Sequence, residues 1–379
     1  MADGQVKPAS ADGPGVSVTT LLRRSGAACG VAVIEGSGVA WSGMSGGTPG
    51  LLFQAGSIAK PVTALAALEL AARGCLDLDG DVNEQLTSWR LPGPGSVSLR
   101  QLLGHTSGTG VPFFPGYPQG AAVPALRQVL DGEPPSATRP VRAGPAGRRA
   151  FRYSGGGYAV IQHLICDVTG LSFAQAAQSL VLAPLGMTHS TFAQPLPDSL
   201  SPAAARRDWR IYPECAAAGL WTTPGDLARY ACALQVALAG RPSAVRATVA
   251  AQILTPRTPL TGRGEWNLLP LAGIRPPDSF GLGMFLHGGD RFSHYGGAAG
   301  FFSALTASTG DGTGAVVMAA SNGALPVLRL LRAISDGCGW TGFRQPAWQR
   351  LHGLPGIRNL APSRAVSGDR GPASRTGES

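Results

Sequence analysis

Apolar residues fill Ala27 to Glu35 and Val39 to Ser45 in two runs of strand length, and the Gly-Ser pair between them predicts a hairpin. The pattern then changes period. From Lys60 to Arg73 the run PVTALAALELAAR is rich in helix formers, Pro61 falls in the first turn, and Gly74 stands at a C-terminal cap. Between Pro92 and Pro145 glycine and proline dominate, which predicts loops over a cleft with short helical pieces at Leu99 to Leu103 and Val123 to Leu130. Ile161, Leu164, Ile165 and Val168 recur at helical spacing within Tyr158 to Val168, with Gly170 as the stop, and a second helix follows from Phe173 to Leu182. Thr223, Pro224 and Asp226 start a further helix over Leu227 to Ala239, which Gly240 ends. Strand pattern returns at Phe280 to Leu286, Arg291 to His294, Phe301 to Ala307 and Ala315 to Ala320, and a helix from Val327 to Ile334 closes the folded part. Strands, then helices, then strands and a helix predict an α+β fold: antiparallel sheet flanked by helices, with an inserted helical domain.

A chain of 379 residues with 44% hydrophobic content buries a large core. The expected division is a disordered leader over 1–14, a folded unit over 15–344 and a poorly ordered tail over 345–379. Within the folded unit the α/β part is expected at about 15–60 and 215–344, and the helical insert at about 61–214. No apolar run approaches the roughly 18 residues of a membrane span, and Met1 to Pro14 is small and polar; the expectation is a cytoplasmic protein without a membrane partner. Arg23-Arg24 is followed by a strand-like segment rather than a long apolar one. The six cysteines are scattered without metal-ligand spacing and imply neither zinc nor a disulfide framework. The net charge of +9 comes from dispersed arginines rather than a basic face, which predicts no nucleic-acid partner.

The arginine bias isolates one residue. Lys7 and Lys60 are the two lysines of the chain, and only Lys60 lies in the predicted fold. Arginine cannot release its proton at usable pH and lysine can, so a lysine three residues after Ser57 points to proton chemistry. FQAGSIAK, from Phe53 to Lys60, reads as a strand end and a tight glycine turn entering a helix. Ser57 then sits at the helix N-terminus with Lys60 one turn on, sharing a face in a field that favours neutral lysine and negative charge on the serine.

These residues resemble the serine β-lactamase and penicillin-binding-protein family, in its class C branch with D-amino-acid peptidases, family VIII esterases and related acyltransferases. The likeness continues through LLGHTSG (Leu102 to Gly108), FRYSGGGY (Phe151 to Tyr158), LAPLGM (Leu182 to Met187), AAGLWTTPGDLARY (Ala217 to Tyr230) and HYGGAAGF (His294 to Phe301), covering roughly residues 27 to 335. The resemblance implies Ser57 as nucleophile, Lys60 as its activator, Tyr153 as a proton relay and His294 as the third-box residue. It also implies an oxyanion hole from the backbone N–H groups of Ser57 and Gly297, with Gly155, Tyr295 and Gly296 in the substrate cleft. Gly155 stands where the family's second box usually carries asparagine, and His294-Tyr295-Gly296 stands where β-lactamases have Lys-Thr-Gly; both departures point away from a true β-lactamase.

The remaining motifs are structural. His105 and Thr106 are expected to fix a loop through backbone hydrogen bonds, His189 to be a loop residue and Asp226 a helix-start residue. Gly155 to Gly157 lacks the Gly-Lys-Ser or Gly-Lys-Thr of a phosphate loop, and no G-x-S-x-G elbow is present. The function expected is a serine hydrolase acting through an acyl-enzyme on an ester or a D-amino-acid-containing amide or peptide, with no cofactor and no metal. The alternatives are an acyltransferase or peptide-releasing cyclase or thioesterase of a biosynthetic pathway, and a non-catalytic ligand-binding relative.

Overall fold

The computed structural model describes Leu22 and residues 28–47, 50–145, 150–200, 202, 209–260, 268–288 and 290–340. The expected leader over 1–14 and tail over 345–379 lie outside them.

Ten strands and seven helices position the site. The strands are β1 (Cys29–Glu35), β2 (Gly38–Ser45), β3 (Phe53–Gln54), β4 (Trp221–Thr222), β5 (Thr258–Pro259), β6 (Ser279–Phe280), β7 (Phe285–His287), β8 (Arg291–Ala298), β9 (Phe301–Ser308) and β10 (Gly314–Ala319). The helices are α1 (Ala59–Ala72), α2 (Leu99–Leu103), α3 (Gly155–Thr169), α4 (Cys215–Ala218), α5 (Pro224–Leu238), α6 (Ala247–Leu254) and α7 (Ala324–Gly337). Eight strands form one sheet in the order β2-β1-β10-β9-β8-β7-β6-β5, antiparallel at each pairing. The hairpin opens at Gly36 and Ser37, whose φ values of +59° and +64° match the right-handed strand twist that favours such turns.

Alternation within the strands divides the core in two. Val31, Val33, Ala315, Val317 and Ala304 meet Leu328, Leu331 and Ile334 of α7 on one face. Ala32, Ile34, Val316, Met318 and Leu305 meet the helical part, α5 included, on the other. Successive side chains of a strand point to opposite faces, so a sheet covered on both sides reads as the continuous apolar runs of β1 and β10. Helix α1 threads the centre of the larger core, with each of its residues from Ala59 to Leu70 buried.

The α+β expectation holds, with local corrections. Phe280 to Leu286 is two short strands, β6 and β7, joined by a turn in which Gly283 takes φ +103°. Strand β8 runs on to Ala298 because its backbone continues to pair with β9 through the glycines. Helix α3 starts at Gly155, three residues before the expected start at Tyr158, because the Ser154 hydroxyl accepts from Gly157 N–H at 2.9 Å. Helix α6 is an element the expectation lacked, although Pro256 stands just past its end as a stop signal.

Candidate active site

Ser57 lies in a single 3₁₀ turn, Gly56–Ile58, between β3 and α1. The turn is held on both sides. Ala55 N–H donates to Leu220 O at 2.9 Å, and the Gln54 amide donates to Arg210 O at 2.6 Å. Gly56 takes φ +53°, and a Cβ there would come within 2.6 Å of Gly297 O. Only glycine meets both demands. On the far side, a Cβ on Gly296 would overlap the Ala55 carbonyl and approach Ser57 N to 3.0 Å. The glycines of β8 therefore let two backbones close up, bringing Gly297 beside the Ser57 turn.

Lys60 enters from the first turn of α1, and its Nζ donates to Ser57 Oγ at 3.0 Å and to Ala217 O at 2.8 Å. The lysine is 2% exposed, and burial lowers its pKa from 10.5 to about 7. Desolvation disfavours the ammonium, so at neutral pH a substantial fraction is free amine with a lone pair beside the serine hydroxyl. The acceptor Ala217 is itself fixed: on α4, Thr63 donates to Ala216 O at 3.1 Å, and Ala216 N–H donates to the Gln162 side chain at 3.0 Å.

Tyr153 precedes α3 with its ring 4.9 Å from Lys60 Nζ, measured to the ring centroid. His105 stacks on that ring at 4.4 Å. Its Nδ1 accepts from Ser154 N–H at 3.1 Å and its carbonyl from Arg152 N–H at 2.8 Å, so it clamps the segment that carries Tyr153. A cavity of about 270 Å³ opens above Ser57. With Ser57, its walls are Phe113, Tyr153, Phe285, Phe302 and Tyr295, the backbone of Gly296 and Gly297, and Leu269, Ala324 and Leu328. The arrangement holds a hydroxyl, a neutralisable base and a phenol next to an apolar chamber, which suits nucleophilic attack on a carbonyl.

The Beta-lactamase family profile matches residues 14–335. This chain belongs to the beta-lactamase family. Among known relatives it is similar to the esterase EstB of Burkholderia gladioli, 32% identical over 159 residues, which is 39% of this chain and 40% of that protein. It is also similar to the putative penicillin-binding protein PbpX of Bacillus subtilis (strain 168), 28% identical over 141 residues, 37% of this chain and 32% of that protein. The aligned part thus spans a third to two fifths of the length of these curated relatives. The D-amino acid amidase from Ochrobactrum anthropi SV3, solved with L-phenylalanine amide, shares the fold with a TM-score of 0.62 at 17% identity, over 85% of this chain and 99% of that one.

Two expected site residues of this beta-lactamase-family chain stand away from the cavity wall. Gly155 is covered: a Cβ there would lie 3.0 Å from both the Phe114 ring and Pro112 O. Space that an asparagine would need is filled by that loop. His294 is 1% exposed with its ring against Phe285 at 5.1 Å, and its Nδ1–H donates to Tyr295 O at 2.9 Å. Burial, then the nearby Lys60, lower its pKa to about 3, so its imidazole is neutral at ordinary pH.

Other residues that the sequence left unnoticed are central. Phe113, Phe285, Phe302 and Leu328 make the chamber, and nothing in their local patterns separates them from core residues. Glu214 is fully buried before α4, and neither carboxylate oxygen has a hydrogen-bond partner among the described residues. Burial raises its pKa to about 7. Asp226 does start α5, as its N–H donates to Thr223 Oγ1 at 3.2 Å, and it also accepts from His189 N–H and Ser190 Oγ, both at 2.8 Å.

Proposed function

We propose that the protein is a serine hydrolase that acts through an acyl-enzyme on an ester or a D-amino-acid-containing amide, and is not a true β-lactamase. The observation that carries this reading is the 3.0 Å contact between Lys60 Nζ and Ser57 Oγ, made by a lysine whose pKa burial brings to about 7. Ser57 Oγ attacks the carbonyl carbon as its proton passes to Lys60. The backbone N–H groups of Ser57 and Gly297 receive the developing oxyanion, a contribution worth several kcal/mol in sites of this kind. Tyr153 hands a proton to the leaving group. Water then attacks the acyl-enzyme with the same groups working in reverse, releasing the acid and restoring Ser57.

The apolar cavity favours a second reading, an acyltransferase in which an alcohol or amine outcompetes water for the acyl group. Offering a generic ester with and without such an acceptor separates the two by product ratio.

Intact-mass spectrometry after treatment with a fluorophosphonate and, separately, with p-nitrophenyl acetate tests the common step. A single stoichiometric adduct on the wild type that is missing in Ser57→Ala is the expected result. Absence of an adduct with both probes removes Ser57 as nucleophile.

A further inference from the structure

The segment Gly110 to Phe114 is pinned far more firmly than an exposed loop requires. Ser154 Oγ donates to Gly110 O at 2.9 Å, Gly156 N–H to Val111 O at 2.9 Å and Gly155 N–H to Pro112 O at 3.0 Å. A Cβ on Gly156 would stand 2.6 Å from Gly110 O, so the glycines that open α3 are what let the loop seat there. Val111 takes φ +60°, a left-handed conformation that is costly for a β-branched residue and persists only where its surroundings enforce it.

What this strained, pinned loop achieves is the placement of Phe113. Its ring stands 5.7 Å from the Tyr153 ring, on the cavity wall, yet the residue is 63% exposed. Phe113 belongs to none of the hydrophobic clusters, whereas its neighbour Phe114 packs against the main core. Internal packing therefore does not account for it.

The charge of the cavity narrows what can cover that ring. Among the described residues that line the cavity none is charged. Lys60 Nζ is engaged by Ser57 Oγ and Ala217 O, and the His294 imidazole is buried behind Phe285. A carboxylate or ammonium on the acyl group would lose its hydration without finding a counter-charge.

We propose that Phe113 is the specificity-determining residue of this site, closing the cavity over an uncharged, bulky apolar acyl group such as an aromatic or branched one. The proposal rests on the acyl-enzyme reading above and narrows its substrate class to esters, or to amides whose amino-acid nitrogen is acylated, because a free α-ammonium would meet no counter-charge. The acyl group buries the exposed face of the ring, and that burial supplies the discrimination.

The test is a series of p-nitrophenyl esters with one leaving group and varied acyl parts: acetyl, benzoyl and 4-carboxybenzoyl. Turnover of the acetate that depends on Ser57 establishes the acyl-enzyme reading independently of acyl preference. In the wild type the benzoate is expected to exceed its carboxylated counterpart at least about tenfold in kcat/KM, the order that pocket contacts deliver. In Phe113→Ala the benzoyl-to-acetyl ratio of kcat/KM is expected to fall by about tenfold, chiefly through KM, and Phe113→Trp to retain it. The side chain is exposed, so its removal leaves the core intact. A ratio within about twofold of wild type in Phe113→Ala, or equal turnover of the carboxylated ester, overturns the proposal. If no ester turns over, calorimetric titration of Ser57→Ala with benzamide and acetamide decides it. Tighter benzamide binding that vanishes on adding Phe113→Ala supports the proposal, and equal binding overturns it.

Discussion

Lys60 and the two histidines near it respond to the same burial in the same direction, and only one of them titrates where an enzyme works. Burial takes Lys60 to about 7 and His294 to about 3, and holds His105 well below its ordinary value. The base form of Lys60 is lost as pH falls through its pKa. We therefore expect kcat/KM for p-nitrophenyl acetate to rise with pH with a midpoint near 7, and the midpoint to stay in place in His294→Gln. Lys60→Arg keeps a cation but removes the base, and stopped-flow acylation is expected to slow by about 10²- to 10⁴-fold, the range of a positioned general base. This pair was legible in the sequence because it is local: three residues along a helix start place both side chains on one face.

Among the elements, the close approach of β8 to the Ser57 turn and of the 110–114 loop to α3 both depend on missing side chains. Gly296→Ala inserts a methyl group where the Ala55 carbonyl lies. The strand must move off the turn, and that displaces Gly297 from Ser57. Loss of about 1–3 kcal/mol of stability, the usual cost of overpacking, is expected in a denaturant titration, together with a fall in kcat rather than in KM. Gly155 shows why such positions misled the sequence reading. A glycine in place of an asparagine reads as an absent amide in a cleft, whereas the fold has filled that place with Phe114 and Pro112. Whether a gap in a motif is empty or occupied depends on a segment about forty residues earlier, and no local pattern carries that information.

For the whole molecule, burying titratable groups near the site carries a pH-dependent cost to folding. Glu214 has a pKa of about 7 against an ordinary 4.5, so the folded state holds the proton more tightly than the unfolded one. Its contribution to stability is full below about 4.5 and is lost as pH rises through about 7. Lys60 has the opposite sign: its pKa falls from 10.5 to about 7, so stability rises as pH climbs across that interval. Between about pH 4.5 and 6.5 the buried His294, His287 and His105, whose pKa values burial lowers, work against Glu214, since the stability they contribute rises as pH climbs towards their ordinary 6.5. Glu214→Gln, which keeps the shape and removes the titration, is expected to raise the melting temperature at pH 8 relative to wild type and to make it climb more steeply with pH between about pH 4.5 and 7, read by calorimetry. The sequence by itself determined the α+β class, the paired strands and the Ser57–Lys60 pair, because strand period, helix caps and side chains one turn apart are all written within a few residues of one another. Only the tertiary structure decided the chamber, whose walls come from Phe113, Phe285, Phe302 and Leu328, and the pKa of Lys60. Both arise from which distant segments exclude water around Ser57, and burial is a property of the packed chain.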